Sequence, residues 1–310
     1  MHTSVRSSGM RTPRPLPAPL RDQPFRVRDA FAAGVNFERL RRRDLEAPVH
    51  GVRDRTGRRG FSEFVAAVEL VMRPDQFFSH TTAARLWGAP LPRAEQDGAE
   101  VHVSTIGDGV RMRRPGVVIH RVAASVPVEL DGWSIASPAD TWFQCAGLLG
   151  VGALVAVGDH LVGRSELATV DDLRAAVVAG ARHVVMARTA LELVRVGSES
   201  AMETWWRLAV VDAGFGEPQL NVDVHDSAGR FLGRVDMAWP DHRIALEYDG
   251  DHHRERDVFH HDQQRDNGFV VNDWIVVHAT AADRARPAVL FQRLRQAFAR
   301  RLATDRRFVP

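Results

Sequence analysis

Asp236, Glu247 and Asp249 are the residues of this chain whose types and spacing point most directly to chemistry. Asp236 falls late in the alternating run Phe231–Trp239 and Glu247 late in Arg243–Asp249, with a Pro240-Asp241 turn between the two runs. In an antiparallel pair that separation can bring both carboxylates to one end of a sheet, and strand alternation points Glu247 and Asp249 to the same face. Three carboxylates gathered there repel one another and demand a partner of opposite charge. All 41 basic side chains of the 310 residues are arginine, so the partner is either arginine or a divalent metal. Ligation by carboxylate oxygens with room for water is what Mg2+ or Mn2+ prefers.

The same composition excludes other chemistries. Without lysine there is no Schiff base, no pyridoxal anchor and no P-loop lysine. A single cysteine, Cys145, excludes an intramolecular disulfide framework and a cysteine-rich zinc site, and it suits a reducing, cytoplasmic setting. The net charge of +2 is unevenly spread, because residues 1–60 carry 14 arginines against 6 acids. Residues 284–307 carry 8 arginines opposed only by Asp305. Basic ends flanking an acidic middle fit a polyanionic partner, nucleic acid first, although arginine runs on solvated faces give the same count. No secretory signal opens the chain, and the uncharged stretch from Thr141 to Gly158 reads as two short buried helices joined near Gly150 rather than as a membrane span.

The elements that must position the acids follow from patterning. Ser200-x-x-Glu203 is a capping box opening a helix to about Ala213, which Gly214 stops. Strands follow at Gln219–Asp226, Phe231–Trp239 and Arg243–Asp249, then a helix from about Arg254 to Val270, a strand at Trp274–His278 and a helix from Ala282 to Leu302. In that last helix Leu290, Leu294, Phe298 and Leu302 make one apolar stripe. Upstream, residues 1–25 read as a flexible proline- and arginine-rich arm, Phe61–Met72 as a helix, and Ser79 as the cap of a short helix through Trp87. Strands at Glu100–Ser104 and Val117–Val122, an extended Trp133–Ala136 and helix starts at Ser137-Pro138 and Thr169-x-x-Asp172 complete the front half. No nucleophile–base pair, metal cluster or phosphate loop is expected within residues 61–196.

The segment Arg234-Val235-Asp236 … Ala245-Leu246-Glu247-Tyr248-Asp249-Gly250-x-His252-His253 resembles the PD-(D/E)XK nuclease superfamily, in the branch similar to very-short-patch-repair endonucleases. The likeness spans about residues 197–303, through the α-β-β-β-α-β-α order, the upstream Glu203 and Asp262-x-x-Arg265-Asp266. It implies a restriction-endonuclease-like fold that cleaves DNA phosphodiesters with a divalent metal. Asp236 and Glu247 take the metal-binding acidic positions and Glu203 the acid of the first helix. Val235 replaces the eponymous proline, and Asp249 stands where the superfamily often has lysine. That branch also lacks the lysine and places histidine just beyond, which gives His252 or His253 a role in assisting the attacking water or the leaving group. Asp273 and His278 sit where related sequences often have glycine and arginine. Ser79-His80-x-x-Ala83-Ala84-x-Leu86-Trp87-Gly88 is similar to a segment of AbiEi-type antitoxin and regulator proteins, which implies a DNA-associated or defence-linked role.

Bland readings stand beside these. Glu203 is equally explained as the N3 member of its capping box, while Arg207 one turn on, an i+4 partner that would direct it toward the sheet, favours the metal role. His252, His253, His260 and His261 allow a zinc site by count but read better as exposed, Asp262 and Arg265 as a helix surface pair, and Tyr248 as core. The sequence therefore predicts an α/β chain with a basic lead-in over 1–60, a mixed α+β antitoxin-like domain over 61–196 and a nuclease domain over 197–310. The expected activity is Mg2+- or Mn2+-dependent DNA endonuclease, in repair or phage defence, with DNA and a defence-system protein as partners and no membrane. The alternative is a catalytically weak, DNA-binding regulator on the same scaffold.

Overall fold

The computed structural model describes residues 13–57, 60–108, 112–123, 125–163, 166–249 and 267–305. These form a mixed α/β chain in two compact units. The first holds residues 1–83 and 93–137, and the second holds 84–92 and 138–310. The boundaries expected at 60 and 196 therefore fall elsewhere. Residues 138–194 are a helical layer whose core takes in Ala84 and Ala89 from upstream and Leu208 from downstream, so burial joins what composition had divided.

In the first unit, the strands β1 (Phe25–Arg26), β2 (Leu45–Glu46) and β3 (Val52–Arg55) form a small antiparallel sheet of order β1-β3-β2. Leu16, Leu20 and Phe25 are buried with Ala30, Val35, Leu40 and Leu45. The stretch to residue 25 is thus not a free arm: from Leu16 onward its spaced apolar side chains find a core, and residues 1–12 lie outside the described residues. A second sheet has the order β6-β5-β4-β8-β7, made from β4 (Gln76–Phe78), β5 (Val101–Ile106), β6 (Val117–Val122), β7 (Val128–Leu130) and β8 (Trp133–Ile135). Its strand β5 is buried from Val101 to Thr105, as expected of a strand flanked by β4 and β6 with both faces covered.

In the second unit the uncharged Thr141–Gly158 stretch lies in two helices, Pro138–Cys145 and Val151–Val162, with Gly150 as the N-cap of the second. Among the described residues no helix is long and apolar enough to cross a membrane. Gly158 has a packing reason: a Cβ there would come within 2.6 Å of Val194 Cγ2 and 3.0 Å of Trp142 Nε1.

The helix Ala201–Asp212 leads into a four-stranded sheet of order β12-β11-β10-β9, built from β9 (Gln219–His225), β10 (Phe231–Trp239), β11 (Ile244–Asp249) and β12 (Ile275–Thr280). β11 and β12 are parallel, joined through a connection whose described residues 267–271 are helical, and the other pairs are antiparallel. One sheet face, with Met237, Leu246, Val277 and Ala279, packs on Trp206, Val210, Leu290 and Leu294 from helices. The other carries Ala238, Ala245 and Val276 against Phe269 and Trp274. The expected final helix is two, Ala281–Ala285 and Pro287–Asp305, because Pro287 cannot continue a helix from within. Its stripe ends earlier than predicted: Leu290 and Leu294 are buried, whereas Leu302 is exposed beyond the sheet.

Candidate active site

Register brings the acids together. Met237 pairs with Leu246, so one further step along the antiparallel pair sets Asp236 opposite Glu247. On the other side of β10, Val235 pairs with Val222 and Met237 with Leu220, which sets Asp236 opposite Asn221. Glu247 in turn pairs with His278 of β12. Asn221, Asp236, Glu247 and His278 thus form one row across four strands, and Asp249 stands one pleat along β11 from Glu247. Since Leu246, Tyr248, Val277 and Ala279 face the helical core, alternation turns Glu247, Asp249 and His278 to the opposite face, whereas at Asp236 strict alternation is broken, because its neighbours Val235 and Met237 pack in the cores of opposite faces. Tyr248 packs with the helical core as predicted.

Contacts within the row differ in strength. Asp236 Oδ2 accepts the backbone N–H of Tyr248 at 2.7 Å, which fixes this carboxylate beside β11. Glu247 is buried. His278 Nδ1 lies 3.9 Å from Glu247 Oε2 and 3.5 Å from Asp249 Oδ2. Those are ion-pair distances, and His278 Nδ1 is buried with no hydrogen-bond partner among the described residues. Carboxylate oxygens are the donor type a hard divalent cation takes, whereas the His278 nitrogen is not.

Glu203 reaches this row from the helix side, though not as a full capping box. Ser200 Oγ accepts the N–H of Glu203 at 3.1 Å, but the Glu203 carboxylate accepts from Glu199 N at 2.8 Å instead of turning back to Ser200. The same oxygen accepts from Asn221 Nδ2 at 2.8 Å, and Asn221 holds a left-handed φ of 48°. Arg207 does not direct Glu203. Fully buried, it donates to Asp159 Oδ2 at 2.9 Å, to the Leu193 carbonyl at 2.8 Å and to Glu217 Oε1 at 3.2 Å. Asp159, which the sequence reading passed over, also accepts from Thr204 Oγ1 and from Arg195 N, each at 2.7 Å. Burial pushes the Asp159 carboxyl up against the downward pull of Arg207 and these donors. Asp273 is structural, pairing with Arg301 at 2.9 Å and Arg243 at 3.5 Å. His252, His253, His260, His261, Asp262 and Arg265 lie outside the described residues.

A second cluster, in the first unit, overturns the expectation that residues 61–196 hold no metal-type group. His80, His102 and His120 place one ligand atom each within 4.8 Å of one another. His102 Nδ1 is 2.9 Å from His120 Nε2, and the His80 ring lies over that of His120 at 3.5 Å between centroids. His102 and His120 come from β5 and β6, where parallel pairing of Ser104 with His120 sets both rings on one face. His80 opens the helix His80–Leu86 with a left-handed φ of 52°. Burial lowers all three imidazoles: His80 to about 2, reinforced by His120 and His102, and His120 to about 4, reinforced by His102. At His102 burial outweighs the opposing pull of Glu100 and Glu95. Among the described residues this is the group of three or more that meets the metal-ligand distance, whereas the acids of the β10–β11 row do not gather that tightly.

Fold and site together define a mixed α/β protein with an acidic row on the inner strands of a four-stranded sheet and a histidine cluster on a five-stranded one. Two curated relatives are similar to it: the uncharacterized proteins MT2308 and Rv2248 of Mycobacterium tuberculosis, from strains CDC 1551 and H37Rv, each 31% identical over 188 residues. The match covers 60% of this chain and just under two thirds, 66%, of each relative. No protein-family model and no solved structure matches the chain.

Proposed function

We propose that the second unit is a divalent-metal-dependent DNA endonuclease. The observation that carries this reading is the cross-strand position of Asp236 opposite Glu247, with Asp249 one pleat further on the same face. Asp236 and Glu247 would hold the metal, and Glu203 would act from the helix through its link to Asn221. Mg2+ or Mn2+, when bound, lowers the pKa of a water and offsets charge growing on phosphoryl oxygens. Asp249 orients the attacking water, assisted by His252 or His253. Tyr248 N holds the Asp236 carboxylate in one rotamer, so ligand direction is set before substrate arrives. Arginines at the two basic ends contact phosphate.

A second reading has its own observation. The Glu203 carboxylate is already satisfied by Glu199 N and Asn221, and Asp236 by Tyr248 N, which favours a DNA-binding regulator that keeps the scaffold without turnover. Incubating the purified chain with supercoiled, linear and mismatched DNA in Mg2+, Mn2+ or EDTA separates the two. Metal-dependent nicking or cutting of any form supports the endonuclease, and binding without cutting in every condition supports the regulator.

A further inference from the structure

We propose that His80, His102 and His120 form a Zn2+ site in the first unit, distinct from the acidic row and independent of it. Nothing in the acidic-row reading requires it. Three imidazole nitrogens are a donor set for Zn2+ and its borderline neighbours, not for Mg2+ or Ca2+, which take oxygen. Three histidines with a fourth position open to water is also the coordination of catalytic rather than structural zinc.

Ser104 supplies an observation independent of the three rings. Its hydroxyl is fully buried on β5, and Ser104 Oγ has no hydrogen-bond partner among the described residues. Ser104 is two residues from His102 on the same face and directly opposite His120 in the parallel pair, so this orphaned oxygen borders the cluster. A buried hydroxyl left unsatisfied is destabilising, and a water on a metal held by the three rings would supply the partner it lacks.

The surroundings hold the rings as a ligand shell does. His80 Nδ1 is 3.0 Å from Ser79 Oγ, the contact through which an outer partner fixes ring orientation and tautomer. Ser79 N donates to the His102 carbonyl at 3.1 Å, and His102 N donates to Thr82 Oγ1 at 2.8 Å, so the helix start is fastened to β5 on both sides of His80. That fastening sustains the left-handed backbone at His80, a conformation a non-glycine residue adopts at a cost and typically where function needs it.

Without an ion, the 2.9 Å contact of His102 Nδ1 with His120 Nε2 needs a proton between the two nitrogens. The rings lie 14° to 28° from parallel, and each lone pair lies in its own ring plane. Turning about the soft Cβ–Cγ torsion lets the three nitrogens converge on one centre.

The test uses the full chain stripped with EDTA and dialysed, titrated with Zn2+ by calorimetry and with Co2+ by visible absorption. One Zn2+ per chain should bind at this site, with a Co2+ spectrum of nitrogen and oxygen donors in a four-coordinate field. His120→Asn and His80→Gln should each remove that equivalent while far-UV circular dichroism stays native, and Ser79→Ala should weaken it by about 10- to 100-fold. Should either histidine variant fail to fold, X-ray absorption on the wild-type Zn2+ complex still counts the ligands, and three imidazoles are expected. Absence of Zn2+ binding by the wild type would leave a hydrogen-bonded imidazole stack and overturn the proposal. Stoichiometry unchanged in both folded histidine variants would overturn it too, and would assign the ion to other histidines.

Discussion

Glu203 Oε2 accepts a hydrogen bond from Asn221 Nδ2 at 2.8 Å, tying the first helix of the sheet region to the strand beside Asp236. Glutamine at 203 keeps an oxygen for Asn221 and for Glu199 N, so Glu203→Gln should hold stability within about 0.5 kcal/mol of wild type. Alanine there strands two part-buried donors and should cost about 1 kcal/mol. If Glu203 supports a metal, Glu203→Gln also raises the Mg2+ concentration needed for cutting. Urea melts and a Mg2+ titration on the two variants check both statements.

Arg207 and Asp159 are each about 1% exposed and joined at 2.9 Å. Removing one partner leaves a buried charge uncompensated, so Arg207→Met should destabilise the second unit by about 3–5 kcal/mol. Replacing both, with Asp159→Leu added, should recover part of that loss. Chemical denaturation of the single and double variants measures it.

The histidine cluster gives a pH dependence of defined sign. Folded His120 titrates near 4 and His80 lower still, against about 6.5 in the unfolded chain. Below 6.5 the unfolded state binds more protons, so the stability is fully present above that pH and falls as pH drops toward 4. In EDTA, the melting temperature of the first unit should fall from pH 7 to pH 5, and His80→Gln combined with His120→Gln should flatten the slope. A flat wild-type profile would contradict the burial of these rings.

The basic lead-in has a narrower test than its composition suggested, because Leu16, Leu20 and Phe25 belong to a core. Deleting residues 1–12 removes Arg6 and Arg11 without touching that core. If both contact phosphate, the log–log salt slope of DNA affinity should drop by about 0.9 for each. Fluorescence anisotropy across a salt series reads the slope directly.

Period-two patterning found Phe231–Trp239 and Val117–Val122 to the residue, and the Thr169-x-x-Asp172 capping box is present in full, since those signals are local. The placement of Asp236 near Glu247 was legible for the same reason: one short turn joins their strands. His80, His102 and His120 were not, because only the parallel register of β5 with β6 and the backbone turn at Ser79 bring them together. Asp159 and Arg207 are 48 residues apart, and no spacing rule links a helix acid to an arginine that far on. Glu203 shows the limit of a local motif: its sequence position fits a capping box, but Asn221 and Glu199 N compete for the carboxylate and win it.

The proposed endonuclease rests most heavily on Asp236. The decisive measurement compares wild type and Asp236→Ala on one DNA substrate, following cutting with Mg2+ or Mn2+ alongside binding by anisotropy. The account predicts metal-dependent cutting by the wild type and its loss in Asp236→Ala with DNA affinity retained. Equal cutting by both proteins would trace the activity to a contaminant and contradict the assignment of the acidic row.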